Sequence, residues 1–426
     1  MTEYCGARAL ACAQAIDRWL DTMWGKDGYT GPVAHWWESN FLFTGALYDW
    51  RYEGIIDGYR ILFGKTGEKH YLDKALRAAD MVVLAQRPDG RYRNSSFQFG
   101  PVAGGTPHEA AIDTALFLLA GDLEAIDPLR ARRYRQAAQQ NIGEYWLRDL
   151  WNGRGFSDQP DNPVLVANKH GTVLEALVAG NLLDGDWSLY VNACVEVILG
   201  AQVLRGVGAG GTIHGGIGPS HLAVPIYTAR ALNGLLTLYD ANPDPRLKEA
   251  ILSSLPFFKK TMGRVGVVWG VYGNGRVAAS PEMIAGAGDV LRLLWRVEQH
   301  DWDKSVAELR QTLFTHMVAQ QYPTGGIPTG LGFARKGRGG PPHGGDIRDI
   351  LPVVGWVDKA FRAFALLAER GGAHNSVPLS HYSASALWKG RPVQWEETAE
   401  TMEIRQGRRI LYRWTKGEPA PTIYAL

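Results

Sequence analysis

The polar residues best suited to acid–base chemistry stand in the stretch ANKHGT, positions 167–172, where Asn168 and His170 lie two residues apart. β-Elimination of a uronate needs relief of the carboxylate charge, a base for the C5 proton and an acid for the leaving oxygen. Asn168, together with Arg348 or Lys169, can meet the first need. His170 or His221 can act as the base, because imidazole titrates near neutral pH. With Tyr227 as the acid, these residues form the predicted catalytic set of a lyase.

Glycoside hydrolysis is the alternative chemistry, and it needs two carboxyl groups about 5–10 Å apart. Asp113 and Glu282 form the predicted hydrolytic pair, since each stands near the start of an apolar helix. Other residues near helix starts are predicted to bind substrate: Trp36, Trp37, His108, Glu109, Lys169, His214, His343, Asp346 and Arg348. A structural interpretation stands beside each, because Asp346 suits an N-cap and Glu109 and Glu282 suit a first helical turn. No HExxH or CxxC spacing occurs, so we predict no metal and no other cofactor.

The elements that position these residues are helices, because apolar residues recur at helical spacing in twelve segments. Six segments are apolar nearly all round, and six carry one strongly charged face. The apolar kind begins near residues 50, 107, 166, 220, 280 and 348, and the charged kind near 5, 68, 128, 187, 244 and 301. The alternation predicts an all-α fold, an (α/α)6 toroid in which six inner helices are sheathed by six outer ones.

The links between helices also alternate. Inner-to-outer links are short, whereas links back to an inner helix are long and rich in Gly, as in 87–107 and 323–345. Long loops are usually functional, and here they would gather on one rim over the inner-helix N-termini. Converging helix N-termini favour an anionic ligand. Strand-like runs replace the helical pattern near the end, so we predict a barrel domain at 1–375 and a small β-rich appendage at 376–426.

Over residues 5–370 the hairpin order resembles the six-hairpin glycosidases and polysaccharide lyases with (α/α) barrels. Within it, ANKHGT is similar to the NNHGT stretch of alginate-lyase-like polysaccharide lyases. The resemblance implies that Asn168 helps to neutralise the uronate carboxylate and that His170 acts near the reacting carbon. Lys169 departs from the family pattern, which has a second Asn before the His, and this puts the carboxylate contact in question.

Two looser resemblances point elsewhere. TPHEAAIDTALFLL, positions 106–119, resembles the helix that carries an acidic residue in unsaturated glucuronyl hydrolases, although no Asp begins the helix where their second acid falls. The outer helices that end in Gln86, Gln202 and Gln320, each before a Gly-rich turn, resemble terpenoid-cyclase repeats. The DxDD acid motif of those cyclases is absent.

Charge and hydropathy limit the classes of partner that the protein is expected to bind. Lys plus Arg (45) nearly balance Asp plus Glu (43), so no nucleic acid is expected. The lack of a long apolar run predicts no membrane span, and the lack of a signal-peptide pattern predicts a cytoplasmic protein. The predicted partner is an anionic carbohydrate, cleaved by β-elimination. A six-hairpin glycoside hydrolase, a sugar epimerase or isomerase, a terpenoid-cyclase-like barrel and a non-catalytic binding barrel stay open.

Overall fold

The computed structural model describes residues 2–33, 42–44, 46–93, 105–214, 221–335, 344–371 and 380–424, and there the chain forms a double ring of helices. The inner helices are α2 (Arg51–Thr66), α4 (Thr106–Leu123), α6 (Ala167–Ala179), α8 (Pro225–Ala241), α11 (Gly288–Gln299) and α13 (Val354–Leu367). The outer helices are α1 (Thr2–Met23), α3 (Lys69–Leu84), α5 (Pro128–Asn141), α7 (Trp187–Ala201), α9 (Pro245–Ser253) with α10 (Leu255–Thr261), and α12 (Ser305–Ala319). Helix α5 continues as a π-helix over Ile142–Leu150.

The inner helices close into a ring in chain order, because each contacts the next and α13 returns to α2. Each outer helix packs on the inner helix that precedes it, and α1 completes the outer ring against α13. Burial follows the two sequence patterns, since α8 is buried on nearly every side whereas α3 buries one face. The predicted (α/α)6 toroid is confirmed. Among the described helices, none combines the length and apolar character that crossing a membrane requires.

Glycines set the spacing between α6 and α8. A Cβ at Gly171 would lie 2.6 Å from the Ala231 Cα, and one at Gly234 would lie 2.4 Å from the Gly171 carbonyl oxygen. The two backbones are therefore in contact, and no larger residue fits at either position. This contact joins the second turn of α6 to the second and third turns of α8.

A glutamine after each of three outer helices ties that helix to the next outer helix. Its Nε2 donates one hydrogen bond to a carbonyl oxygen of the neighbouring helix and one to its own Gly-rich turn. The acceptors are Ala137 and Gly90 for Gln86, Ala250 and Gly210 for Gln202, and Cys12 and Gly325 for Gln321. In the third case the bonds come from Gln321 and not from the predicted Gln320.

Short strands occupy the connections, and a sheet follows the barrel. The connecting strands are β1 (Trp24–Gly25), β2 (Gly28–Tyr29), β3 (Gly31–Val33), β4 (Leu42–Thr44), β5 (Ser157–Gln159), β6 (Asn162–Leu165), β7 (Ile213–His214), β8 (Leu222–Ala223), β9 (Gly270–Tyr272), β10 (Val277–Ala278), β11 (Glu282–Met283) and β12 (Gly330–Leu331). The antiparallel sheet comprises β13 (Tyr382–Trp388), β14 (Arg391–Glu397), β15 (Thr401–Gln406), β16 (Arg409–Thr415) and β17 (Thr422–Ile423). Its buried Glu397 accepts hydrogen bonds from Trp19 Nε1 and Lys416 Nζ, both at 2.9 Å, which docks the sheet on α1.

Three inner helices begin later than predicted. Helix α8 begins at Pro225 rather than near 220, α11 at Gly288 rather than near 280, and α13 at Val354 rather than near 348. Before α11, β11 pairs with β12, so Glu282 lies in a strand and not in a first helical turn. The predicted fifth outer helix is divided into α9 and α10, because Pro256 has no N–H with which to continue α9.

Candidate active site

In three successive inner helices, the side chain of the fourth residue accepts a hydrogen bond from the backbone of the loop that leads into the helix. The bonds run from Tyr92 N to Glu109 Oε2 at 3.3 Å, from Phe156 N to His170 Nε2 at 3.0 Å, and from Thr212 N to Thr228 Oγ1 at 2.9 Å. The three donor residues also pair, each by one β-bridge, with Gln86, Trp151 and Gln202 at the ends of the preceding outer segments. The positions are equivalent in the repeated hairpin, and we call Glu109, His170 and Thr228 the backbone anchors.

His170 uses both ring nitrogens as an anchor. Its Nδ1 lies 2.8 Å from the Val166 carbonyl oxygen and donates to it, while Nε2 accepts from the Phe156 N–H. The side chain is fully buried, and burial lowers its pKa to about 4, so the imidazole is neutral. No nitrogen lone pair remains for a substrate proton. This geometry gives His170 a structural role instead of the predicted role as the base.

We expect His170→Ala to lower the free energy of unfolding at pH 7 by about 2–4 kcal/mol, because it leaves the Phe156 N–H unpaired and opens a cavity. The folded-state pKa lies below the unfolded value, so wild-type stability from this group is complete above about pH 6.5 and falls towards pH 4. The difference between wild type and variant should shrink over that range. Urea unfolding of wild type and variant at pH 7 and near pH 4 measures this difference. The control is His300→Ala, because His300 lies at a more exposed site. Equal stabilities at pH 7 would contradict the anchor role.

The two predicted hydrolytic carboxyls are each engaged within the fold. Glu282 Oε2 accepts hydrogen bonds from the backbone N–H groups of Arg264 at 2.8 Å and Val265 at 2.9 Å. Asp113 Oδ1 accepts from the Tyr92 hydroxyl at 2.8 Å, and burial raises the pKa of Asp113 well above its usual range. Asp113 therefore contacts the connection after α3, and Glu282 the turn after α10. No described contact joins the two carboxyls.

Asp346 and Arg348 pair with each other just before α13. Arg348 donates to Asp346 from Nη2 at 2.7 Å and from Nε at 2.8 Å, and its guanidinium lies over the Phe333 ring. Asp346 also caps the short 3-10 helix Ile347–Asp349. Both predicted substrate contacts therefore help to fix the approach to α13.

The remaining histidines and tryptophans of the prediction are placed only in part. His221 directly precedes β8, and its ring fills the space where Gly273 has no side chain. Only the backbone is described for His108 in α4 and His214 in β7, and three predicted positions lie outside the described residues: Trp36, Trp37 and His343.

Six charged side chains from five inner helices meet on the barrel axis, and we call them the ionic floor: Glu53 on α2, Glu175 on α6, Arg230 on α8, Asp289 and Arg292 on α11, and Arg362 on α13. Arg230 bonds Glu53 on the opposite helix at 2.8 Å and Glu175 on the neighbouring helix at 3.2 Å. Arg362 contacts Glu53 and Asp289, both at 2.9 Å. Arg292 contacts Glu175 at 2.5 Å.

The ionic floor balances three carboxylates against three guanidinium groups. Burial alone would raise the pKa of Glu53, but Arg230 and Arg362 lower it to about 2, so Glu53 stays charged. The Arg230–Glu53 bond spans the ring from α8 to α2. A ligand that enters from the rim therefore meets the ionic floor within the first few turns of the inner helices.

Five side chains stand one helical turn nearer the rim than the ionic floor, because residues three or four apart share a helix face. We call them the rim layer: Trp50, three residues before Glu53; Asn168 and Lys169, four and three before Thr172; Tyr227, three before Arg230; and Lys359, three before Arg362. Thr172 marks the level of the ionic floor on α6, because its hydroxyl accepts a hydrogen bond from Arg230 Nε at 2.9 Å. The rim layer is our candidate active site.

The polar groups of the rim layer on α6 and α8 differ in protonation. Lys169 is ion-paired with Asp158 on β5, and burial lowers the pKa of Lys169 to about 7. Burial raises the pKa of Tyr227, so its phenol is protonated at neutral pH. Asn168 is 9% exposed, and none of the described residues hydrogen-bonds its side-chain amide. An amide, a titratable amine and a phenol thus stand on two touching helices. In the described ranges, no three acidic, His or Cys side chains are grouped as metal ligands.

Comparison with known proteins identifies the fold. No protein-family model matches the chain, and no curated protein matches it in sequence. A family 88 glycosyl hydrolase from Bacteroides vulgatus is similar in structure, with a TM-score of 0.52 at 12% identity over 76% of this chain and 92% of that one. A cellobiose 2-epimerase from Bacillus thermoamylovorans gives 0.56 at 9% identity over 78% and 92%.

A type II terpene cyclase from Scytonema is also similar, with a TM-score of 0.52 at 14% identity over 86% of this chain and all of that one. The chain therefore shares the (α/α)6 barrel with proteins of different chemistry. Two of these three structures, the glycosyl hydrolase and the epimerase, are carbohydrate-active enzymes. At such identities the likeness establishes the fold alone.

The sequence prediction did not find the ionic floor, Trp50 or Lys359. A signal was present, because Glu53, Arg230 and Arg362 are charged residues within helices whose other faces are apolar. Lys and Arg almost never lie fully buried unless they are paired. Charges at several inner-helix positions therefore indicate partners within the barrel.

Proposed function

We propose that the chain is a lyase that cleaves uronate-containing oligo- or polysaccharide by β-elimination in the rim layer. The observation that supports this is the placement of Asn168, Lys169 and Tyr227 on the touching helices α6 and α8. These side chains supply the charge relief, base and acid that the reaction needs. The fold that the chain shares with carbohydrate-active enzymes supports a sugar substrate.

In this mechanism Lys169 takes the role that the sequence suggested for His170. Burial lowers the pKa of Lys169 to about 7, so part of the amine is neutral near pH 7. Once substrate binding opens the ion pair of Lys169 with Asp158, the neutral amine can accept the C5 proton. The C5–H electron pair forms the C4–C5 double bond as the C4–O bond breaks, and the Tyr227 hydroxyl protonates the leaving oxygen. Asn168 donates hydrogen bonds to the uronate carboxylate, on which charge develops. The products are a 4,5-unsaturated uronate and a chain with a free hydroxyl, and solvent returns a proton from Lys169 to Tyr227.

The test is incubation with polymannuronate, polyguluronate, polygalacturonate and polyglucuronate while ultraviolet absorbance and reducing ends are followed. A lyase raises both, because each cleavage creates a conjugated double bond. Reducing ends without the chromophore would indicate hydrolysis and would overturn the proposal. Inversion at C5 without cleavage, seen by NMR, would replace it with epimerisation, which shares the first proton transfer. No change in any polymer would also count against it.

A further inference from the structure

Two indole rings enclose an ammonium group on the α2–α13 side of the rim layer. Lys359 Nζ lies 5.6 Å from the ring centroids of both Trp50 and Trp356, and these two centroids are 6.1 Å apart. The Trp50 Nε1 donates to the Gly355 carbonyl oxygen at 2.8 Å. A Cβ at Gly355 would lie 3.4 Å from Trp50 Nε1, an ordinary van der Waals distance, so the Trp50 ring packs against the first turn of α13. The Nε1 hydrogen bond thus fixes the position of the Trp50 ring.

This cluster stands across the barrel from the proposed reaction groups. In ring order α2 lies opposite α8, and α13 lies opposite α6. Packed neighbouring helices are about 8–10 Å apart, so opposite helices of a six-membered ring are about 16–20 Å apart. After side chains are added, the remaining gap is about one or two sugar rings wide. A sugar held at Trp50 can therefore extend towards Asn168 and Tyr227.

The positive charge of Lys359 is only partly offset by its neighbours. Its Nζ contacts Asp358 Oδ2 at 3.2 Å. Burial raises the pKa of Asp358 to about 7, so this carboxyl is partly protonated at neutral pH. Asp49, the other carboxyl near Lys359, is bonded by Arg51 Nε at 2.8 Å. The cluster therefore places two indole rings beside an ammonium group whose charge is not fully neutralised.

We propose that Trp50 and Lys359, supported by Trp356, form a subsite for an acidic sugar unit of the substrate. The sugar ring stacks on the Trp50 indole, and its carboxylate pairs with the Lys359 ammonium. This inference rests on the proposed function, because it assigns the uronate next to the one that reacts. The subsite means that the enzyme binds the carboxylates of two successive sugar units. An oligosaccharide with a neutral sugar next to the reacting uronate is therefore a poorer substrate.

The test uses monosaccharides, so that it does not depend on turnover. Binding of D-glucuronate and of D-glucose is measured by quenching of Trp fluorescence and by calorimetry. We expect wild type to bind D-glucuronate at least tenfold more tightly than D-glucose, and Lys359→Met to remove this preference. Lys359→Arg should retain it, because Arg keeps the charge. Lys248→Met is the matched control, since Lys248 Nζ lies 5.2 Å from the Trp302 ring on the outer ring of helices.

The outcomes separate the subsite from the proposed reaction. Preference for D-glucuronate that depends on Lys359, with no polymer cleaved, would retain the subsite and reject the lyase. Polymer cleavage by wild type with the same preference in Lys359→Met would retain the lyase and overturn the subsite. Equal binding of both sugars to wild type would also overturn it. Thermal unfolding of each variant checks that a lost preference is not a lost fold, and the Lys359→Arg result decides the case if Lys359→Met is unstable.

Discussion

Arg230→Met is expected to lower the free energy of unfolding by about 3–5 kcal/mol, the largest stability effect of any substitution considered. Arg230 is the one described side chain that joins Glu53 across the barrel to Glu175 beside it. Its loss leaves two buried carboxylates with one arginine partner fewer. Urea unfolding followed by circular dichroism measures the change.

The matched control is Arg246→Met. Arg246 also contacts two carboxylates, those of Asp244 and Glu196, but its side chain is 60% exposed. Water screens those contacts, so the control should be about as stable as the wild type. Combining Arg230→Met with Glu53→Gln should cost less than the sum of the two single changes, because one uncompensated charge is removed. An Arg230→Met variant as stable as the Arg246→Met control would show that the ionic floor does not hold the barrel together.

Lys169→Met is expected to reduce turnover by about 10²-fold or more, because it removes the proposed base while Asn168 and Tyr227 are retained. For the wild type, kcat/KM should rise with pH through about 7 and level off above it, since only the neutral amine accepts a proton. The variant should lose that rising limb. Initial rates on whichever uronate polymer is cleaved, measured over a pH series, give both results.

Lys65→Met is the control for Lys169→Met. Lys65 is also partly buried, and its Nζ donates to the Ala368 carbonyl oxygen at 2.8 Å, but it lies in the last turn of α2, away from the rim. Its replacement should leave the rate and the pH profile unchanged. Normal turnover by Lys169→Met, with its melting temperature unaltered, would transfer the role of base to another group of the rim, with His221 the first to test.

The helical repeat made the architecture predictable, and the same repeat limits what the sequence can say about single residues. Six apolar helices alternate with six charged ones, and this period is visible without any knowledge of packing. ANKHGT, in contrast, presents three polar side chains in a row, and the sequence does not show which one faces the barrel axis. His170 occupies the position that Glu109 and Thr228 occupy in the neighbouring hairpins. Only the alignment of whole hairpins reveals that this position binds backbone.

The ionic floor could not be derived from spacing, because its members lie far apart in the chain. Glu53 and Arg362 are separated by most of the sequence, yet their side chains are 2.9 Å apart. Such pairs depend on the closure of the ring. The predicted pair of Asp113 and Glu282 could not be judged from the sequence for a related reason. Asp113 accepts a hydrogen bond from the Tyr92 hydroxyl and Glu282 accepts from two backbone N–H groups, and the sequence shows neither contact.

The position of α1 affects how the protein unfolds. In an open stack of repeats the end units have one neighbour, so they fray first. Here the first helix of the chain fills the last place in the outer ring, packed on α13 and bonded by Gln321 through the Cys12 carbonyl. The first and last helices of the barrel therefore stabilise each other by direct packing, and this contact closes the ring. Loss of α1 would expose α13 and the docked sheet together, so unfolding should run through the whole ring at once.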